Sequence, residues 1–99
     1  MSNYIISAKA LNDINKVWIY PAENWSVDQA NRYYNLIFDE IEFVAQNFEA
    51  ANDFGVTREN YRYSKVKSHL IFFRKIKNNK IEVVRVLHQK MNVNKRLAD

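Results

Sequence analysis

The chain has 99 residues, 47% hydrophobic and 14% aromatic, with no cysteine and a formal net charge of +4. That length suits one domain, residues 1–99, with a single core, and the apolar content excludes a disordered chain. The missing cysteines exclude a disulfide framework and any thiolate metal site, while a pI of about 9.4 favours acidic partners.

No apolar run approaches the roughly 18–20 residues that cross a bilayer. The start, MSNYIISAKAL, lacks the basic opening and long apolar stretch of a signal peptide. A cytoplasmic chain without membrane contact is the expectation, and the sequon Asn24-Trp25-Ser26 is read as coincidence.

Asn3-Tyr4-Ile5-Ile6 is short, aromatic and β-branched and predicts an opening strand. Ser7 is placed to N-cap a first helix whose apolar positions are Leu11, Ile14, Val17 and Trp18. Pro21 should end or kink that helix, because it lacks an amide proton and disfavours helical geometry at Tyr20. Ser26-Val27-Asp28-Gln29 reads as a capping box, with Asp28 at the positive end of the next helix dipole. Val27, Ala30, Tyr34, Ile37, Ile41, Val44 and Phe48 then form one stripe along a helix of about six turns. It predicts a core face rather than a coiled-coil seam, in an antiparallel helical hairpin.

Periodicity is lost from Asn47 to Asn60, which holds the only glycine, Gly55, and reads as a surface loop. Tyr61-Arg62-Tyr63-Ser64 alternates as a strand. The stretch from Ser68 to His88, SHLIFFRKIKNNKIEVVRVLH, reads as two further strands around a tight turn. Val93 and Leu97 can support a short C-terminal helix. The predicted fold is α+β, in the order β-α-α-β-β-β: an N-terminal strand, a helical hairpin and a three-stranded antiparallel segment in one sheet.

Asparagine tolerates left-handed backbone, so a two-residue turn at Asn78-Asn79 is expected, setting Ile76 against Ile81 and Lys75 against Glu82. One face then collects Ile71, Phe73, Val84 and Val86, with His69 opposite His88 at its end, and packs on the helices. The other collects Leu70, Phe72, Arg74, Ile76, Ile81, Val83, Arg85 and Leu87. Two guanidiniums on so apolar a face are costly to bury unpaired, so Arg74 and Arg85 should line a groove that meets water or an acidic partner.

The segments YIISAKALNDINKVWIY, ENWSVDQANRYYNLI and SHLIFFRKI…IEVVRVLHQKM, taken in order, resemble the RelE/ParE superfamily of bacterial type II toxins, closest to the ParE branch. The similarity runs from Tyr4 to about Leu97. Two positions depart from the family pattern: Pro21, and Lys67, where a glycine commonly precedes the Ser-His pair. The resemblance implies a toxin neutralised by a ParD-like antitoxin in a hetero-oligomer, the antitoxin's C-terminal segment wrapping the sheet and hairpin. For the ParE branch it implies protein–protein inhibition of DNA gyrase, with no cofactor and no sequence-specific nucleic-acid binding.

RelE-like and YoeB-like relatives instead cut mRNA on the ribosome, which needs a base, an acid and cations for the phosphate. YoeB-like members carry arginine after the histidine that matches His69, where this chain has Leu70. They end the last strand with His-Tyr, where this chain has His88-Gln89. RelE-like members set basic residues before and after the sheet, matched in part by Lys65, Lys67, Lys90, Lys95 and Arg96. The nuclease set is incomplete, so no catalytic residue is assigned; His88 and Arg85 would serve the runner-up nuclease. Both histidines are read as strand-end groups bonded locally, and no metal site is assigned.

Arg62, Arg74, Arg85 and Phe72 are the candidates for binding antitoxin or target, through bidentate carboxylate contacts in aromatic surroundings. Lys90, Lys95 and Arg96 are candidate target contacts in the tail. Trp18, Trp25, Tyr33 and Tyr34 either anchor the hairpin or line the antitoxin groove. A degenerate toxin that only binds antitoxin is a third alternative.

Overall fold

The computed structural model describes residues 3–50, 52–53 and 61–98. Its elements are β1 (Tyr4–Ile6), α1 (Ala8–Asn24), α2 (Val27–Gln46), β2 (Asn52–Asp53), β3 (Tyr61–Val66), β4 (His69–Lys75), β5 (Ile81–His88) and α3 (Val93–Ala98). The strands form one sheet in the order β1-β5-β4-β3-β2, antiparallel except that β1 runs parallel to β5. A parallel neighbour needs a long crossover, and the helical hairpin supplies part of it. The order matches the predicted α+β arrangement, tail helix included. The expected loop after α2 is partly structured: Phe48–Ala50 make a 3-10 turn, and β2 pairs with β3. Gly55, with the rest of residues 54–60, lies outside the described residues.

The Ser7 hydroxyl accepts from the Ala10 amide at 3.0 Å, capping α1 as expected. Pro21 does not end the helix. Its missing N–H forfeits one bond, but its carbonyl accepts from Trp25 N–H (2.8 Å) and Ser26 N–H (2.9 Å), and its ring is buried. The same contact changes the capping box. The Ser26 hydroxyl accepts from the Gln29 amide at 3.1 Å, but Pro21 already holds the Ser26 N–H that the Gln29 side chain would have reached.

The buried face of α1 is Ala10, Asp13, Ile14, Val17 and Pro21, so the helix is rotated from the expected stripe and leaves Leu11 exposed. On α2 the buried residues are Ala30, Ile37, Ile41 and Val44, with Tyr34 half-buried and Val27 exposed. Trp18 Nε1–H donates to Asn31 Oδ1 at 2.9 Å and ties the two helices. Their apolar faces meet Ile71, Phe73, Ile81, Val83 and Val86 of the sheet in one cluster. Fully burying each such large side chain contributes roughly 1.5–3 kcal/mol.

The β4–β5 hairpin departs from the predicted register. From His69↔His88 to Phe72↔Arg85 the pairs are as expected. A bulge between Phe72 and Phe73 then shifts the pairing, giving Phe73↔Val83, Arg74↔Glu82 and Lys75↔Ile81. Asn78 and Asn79 do adopt positive φ (63° and 58°), but in a longer turn that includes Lys77 and is closed by Ile76 N–H donating to the Lys80 carbonyl at 2.8 Å. One extra residue reverses which side chains face the helices. Ile81 and Val83 therefore enter the core in place of Val84, and Glu82 faces Arg74 rather than Lys75.

β1 pairs with β5 only through Val83, so the edge of β5 beyond it needs other partners. The Ser7 hydroxyl donates to the Val84 carbonyl at 3.0 Å. Asp13 Oδ2 accepts from Val86 N–H at 3.0 Å and from Arg85 Nε at 2.7 Å, while Asp13 Oδ1 accepts from Arg85 Nη2 at 3.0 Å. Between β3 and β4 a two-residue turn, Lys67-Ser68, puts Lys67 at φ 54°. Glycine takes such a backbone freely, whereas a side chain at positive φ costs roughly 1–2 kcal/mol.

Two stability predictions follow from these contacts. Asp13→Ala strands a buried amide and a mostly buried guanidinium, so it should cost about 3 kcal/mol. Urea unfolding of the variant measures this, and a loss below about 1 kcal/mol would remove Asp13 from its structural role. Lys67→Gly should stabilise the protein by up to about 1 kcal/mol in the same assay, whereas a clear loss would contradict the strain assigned to the turn.

Candidate functional site

Arg74, Arg85 and Arg96, proposed from sequence for separate reasons, line one groove of about 310 Å³ together with Lys9 and Glu82. Its walls are the N-terminus of α1, the sheet face turned away from the helical hairpin, and the tail helix α3. Arg85 Nη1 donates to the Arg96 carbonyl at 2.9 Å and so links the sheet to α3. Both sheet arginines hold internal carboxylates. The Arg85–Asp13 pair is shielded, with side chains 14% and 8% exposed. Arg74 binds Glu82 at 2.7 Å, and its side chain is 49% exposed. The sequence pointed to these arginines but missed Asp13, which sits on the buried face of α1 beside Ile14, where a lone acid signals a buried partner.

The remaining candidates lie elsewhere. Arg62 is opposite Phe73 in the register and so faces the helical side. Its guanidinium lies 4.9 Å from the Phe48 ring centroid and 3.2 Å from Glu49. Phe72 has no exposed surface and packs 5.9 Å from the Tyr63 ring. With no surface exposed, it does not present the contact surface expected of it from the sequence. Lys90 and Lys95 are exposed in the tail, outside the groove lining.

At the other end of β4 and β5 a second cleft, of about 460 Å³, holds both histidines. Their rings meet edge to face, 5.2 Å between centroids. Tyr33 Oη lies 2.8 Å from His69 Nδ1 and donates to the Val66 carbonyl at 3.1 Å. His88 Nδ1 accepts from the Lys90 amide at 3.1 Å. Burial, with a smaller contribution from His88, pushes the His69 pKa down to about 4 although Asp13 opposes the shift. Tyr33 and Tyr34 pack against the core, whereas Trp25 and Tyr20 stand out in solvent with rings 5.7 Å apart.

Comparison with known proteins adds the family. Residues 4–93 match the model of the ParE toxin of the type II toxin-antitoxin system, parDE. Toxin ParE1 of Mycobacterium tuberculosis is 33% identical over 96 residues, covering 97% of this chain and 98% of that protein. Toxin ParE1 of Caulobacter vibrioides is 32% identical over 98 residues, covering 99% and 100%. A solved chain of the chromosomal ParDE TA system from P. aeruginosa shares the fold, with TM-score 0.74 and 14% identity over 89% of this chain and 96% of that one. The chain therefore belongs to the ParE family of type II toxin-antitoxin toxins.

Proposed function

We propose that this chain poisons DNA gyrase by protein–protein contact and is neutralised by a ParD-like antitoxin, with no covalent chemistry of its own. The observation that carries the reading is the groove where Lys9, Arg74, Arg85 and Arg96 converge, in a chain of the ParE family. Acidic segments of antitoxin or target suit such a surface. The two sheet arginines are not equivalent in it. An exposed ion pair is worth about 0–1 kcal/mol, so Arg74 can exchange Glu82 for a partner carboxylate at little cost. Breaking a buried pair costs about 3–5 kcal/mol, which keeps Arg85 on Asp13 as a scaffold.

The nuclease alternative needs acid–base groups that titrate near neutral pH. His69 is pushed far below that range, His88 accepts a backbone amide, and Arg85 is committed to Asp13. These features support a binding protein over an enzyme.

Plasmid supercoiling by purified gyrase, with this protein freed of antitoxin, tests the proposal. Inhibition with accumulation of linear DNA is expected, relieved by the antitoxin. Arg74→Glu and Arg96→Glu should each weaken it about tenfold or more. Undiminished supercoiling beside folded toxin would overturn gyrase as target, and ribosome-dependent mRNA cleavage in its place would establish the nuclease.

The low His69 pKa gives a separate expectation. The unfolded chain protonates near the ordinary value of 6.5 and the folded chain only near 4, so the stability His69 contributes is complete above about 6.5 and is lost as pH falls towards 4. An NMR titration of the His69 ring should find its midpoint near 4, and a midpoint above 6 would contradict the burial assigned to it.

A further inference from the structure

The two sheet arginines of the groove hold their carboxylates differently. Arg85 meets Asp13 fork to fork, with Nε on Oδ2 at 2.7 Å and Nη2 on Oδ1 at 3.0 Å. Arg74 brings Nε (2.8 Å) and Nη2 (2.7 Å) to the same oxygen, Oε1 of Glu82. Two donors on one oxygen forgo the parallel, one-to-one geometry that makes arginine–carboxylate pairs strong. Arg74 is also half exposed, so water screens the pair. The first pair is fixed, and the second can be exchanged.

The bulge in β5 brings Glu82 to this position. In the unbulged register it would face Lys75 on the helical side of the sheet. Instead it lies opposite Arg74, its backbone held between β1 at Ile5 and β4. Among the described residues it is the one carboxylate lining the groove, against Lys9, Arg74, Arg85 and Arg96. Its side chain is 19% exposed, more enclosed than the arginine it holds. An exposed ion pair contributes little to stability, so the consequence of this one lies in what it keeps from Arg74.

We propose that Glu82 is an internal stand-in for a partner's carboxylate: it occupies Arg74 in the free protein and is displaced when an acidic protein segment docks. The inference rests on the acidic-partner reading of the groove and adds the residue that sets its affinity. A partner carboxylate that meets Nε and Nη2 on separate oxygens makes the better pair and displaces Glu82. Glu82 thereby selects carboxylates presented in the plane of the guanidinium over anions that offer it a single oxygen.

The test compares wild type with Glu82→Gln, close in shape but uncharged, and with Glu23→Gln, which removes the same charge from the exposed far end of α1. Circular dichroism and thermal melting check that each variant keeps the fold. NMR follows the Arg74 Nε–H signal and the groove amides during titration with acetyl-triglutamate amide. Glu82→Gln should bind this peptide about two- to fivefold more tightly than wild type, the worth of an exposed ion pair, and Glu23→Gln should not. Adding Arg74→Gln to Glu82→Gln should abolish the gain. Unchanged or weaker affinity in Glu82→Gln would overturn the stand-in. So would an equal gain in Glu23→Gln, the mark of net charge alone, or a gain that survives Arg74→Gln. In the supercoiling assay Glu82→Gln should lower the half-inhibitory concentration by a similar factor, and an unchanged value would overturn the role of Glu82 at the target. Wild-type protein that leaves gyrase active would overturn the gyrase reading alone, because the peptide titration contains no gyrase.

Discussion

The carboxylate of Asp13 accepts from a backbone amide of β5 and from Nε and Nη2 on one edge of the Arg85 guanidinium, and the basic groove is arranged around it. β5 bulges because Val84 is inserted opposite the Phe72–Phe73 step, and a bulge beyond the end of β1 leaves edge groups that water cannot fully satisfy. Helix α1 brings Ser7 to the Val84 carbonyl and Asp13 to the Val86 amide. Without those two contacts the bulge would leave buried polar groups unpaired, and the unbulged register would send Val84 rather than Ile81 and Val83 into the core. Arg85 completes the arrangement by joining Asp13 to the Arg96 carbonyl of the tail.

That arrangement divides the basic residues by how easily each can change partner. Arg85 is enclosed, and releasing it would leave two buried charges. Arg74 is half exposed on a salt bridge that water already weakens. In the proposed complex a partner carboxylate would compete for Arg74 and Arg96, with Arg85 holding the wall in place. The groove is cationic, yet its internal acids temper its attraction for phosphate and favour a partner of matching shape. The proposed binding without chemistry needs no more than this, and burial holds the His69 ring well below the range where a neutral-pH acid or base would titrate.

Much of this was legible in the residues. The cap at Ser7, the α2 stripe from Ala30 to Val44, the left-handed backbone at Asn78 and Asn79 and the His69–His88 pairing all rest on local chemistry or on period and are present, whereas the two-residue length of that turn is not. The bulge was not legible, because a one-residue insertion leaves the alternation of apolar residues in β5 readable in either register. The path of α1 past Pro21 depends on a carbonyl that accepts two amides, a tertiary outcome that propensity does not carry. Asp13 had a signal: its spacing from Ala10 and Val17 places it on the apolar face, and a lone acid there implies a cation. The arginine was visible from the other strand, but pairing the two required knowing which edge of β5 the helix covers.

Lys67 shows how tightly the histidine end is constrained. A longer β3–β4 turn would spare a lysine the left-handed backbone, yet it would break the register that sets Val66 against His69 and, through β4, His69 against His88. Tyr33 bonds both Val66 and His69, so the tyrosine fixes the two strand ends on either side of the turn. The strain of roughly 1–2 kcal/mol at Lys67 is small beside the register it preserves. A glycine would reach the same geometry with less strain. The two-residue length of the turn, rather than the residue that fills it, is therefore what holds the histidine cleft in shape.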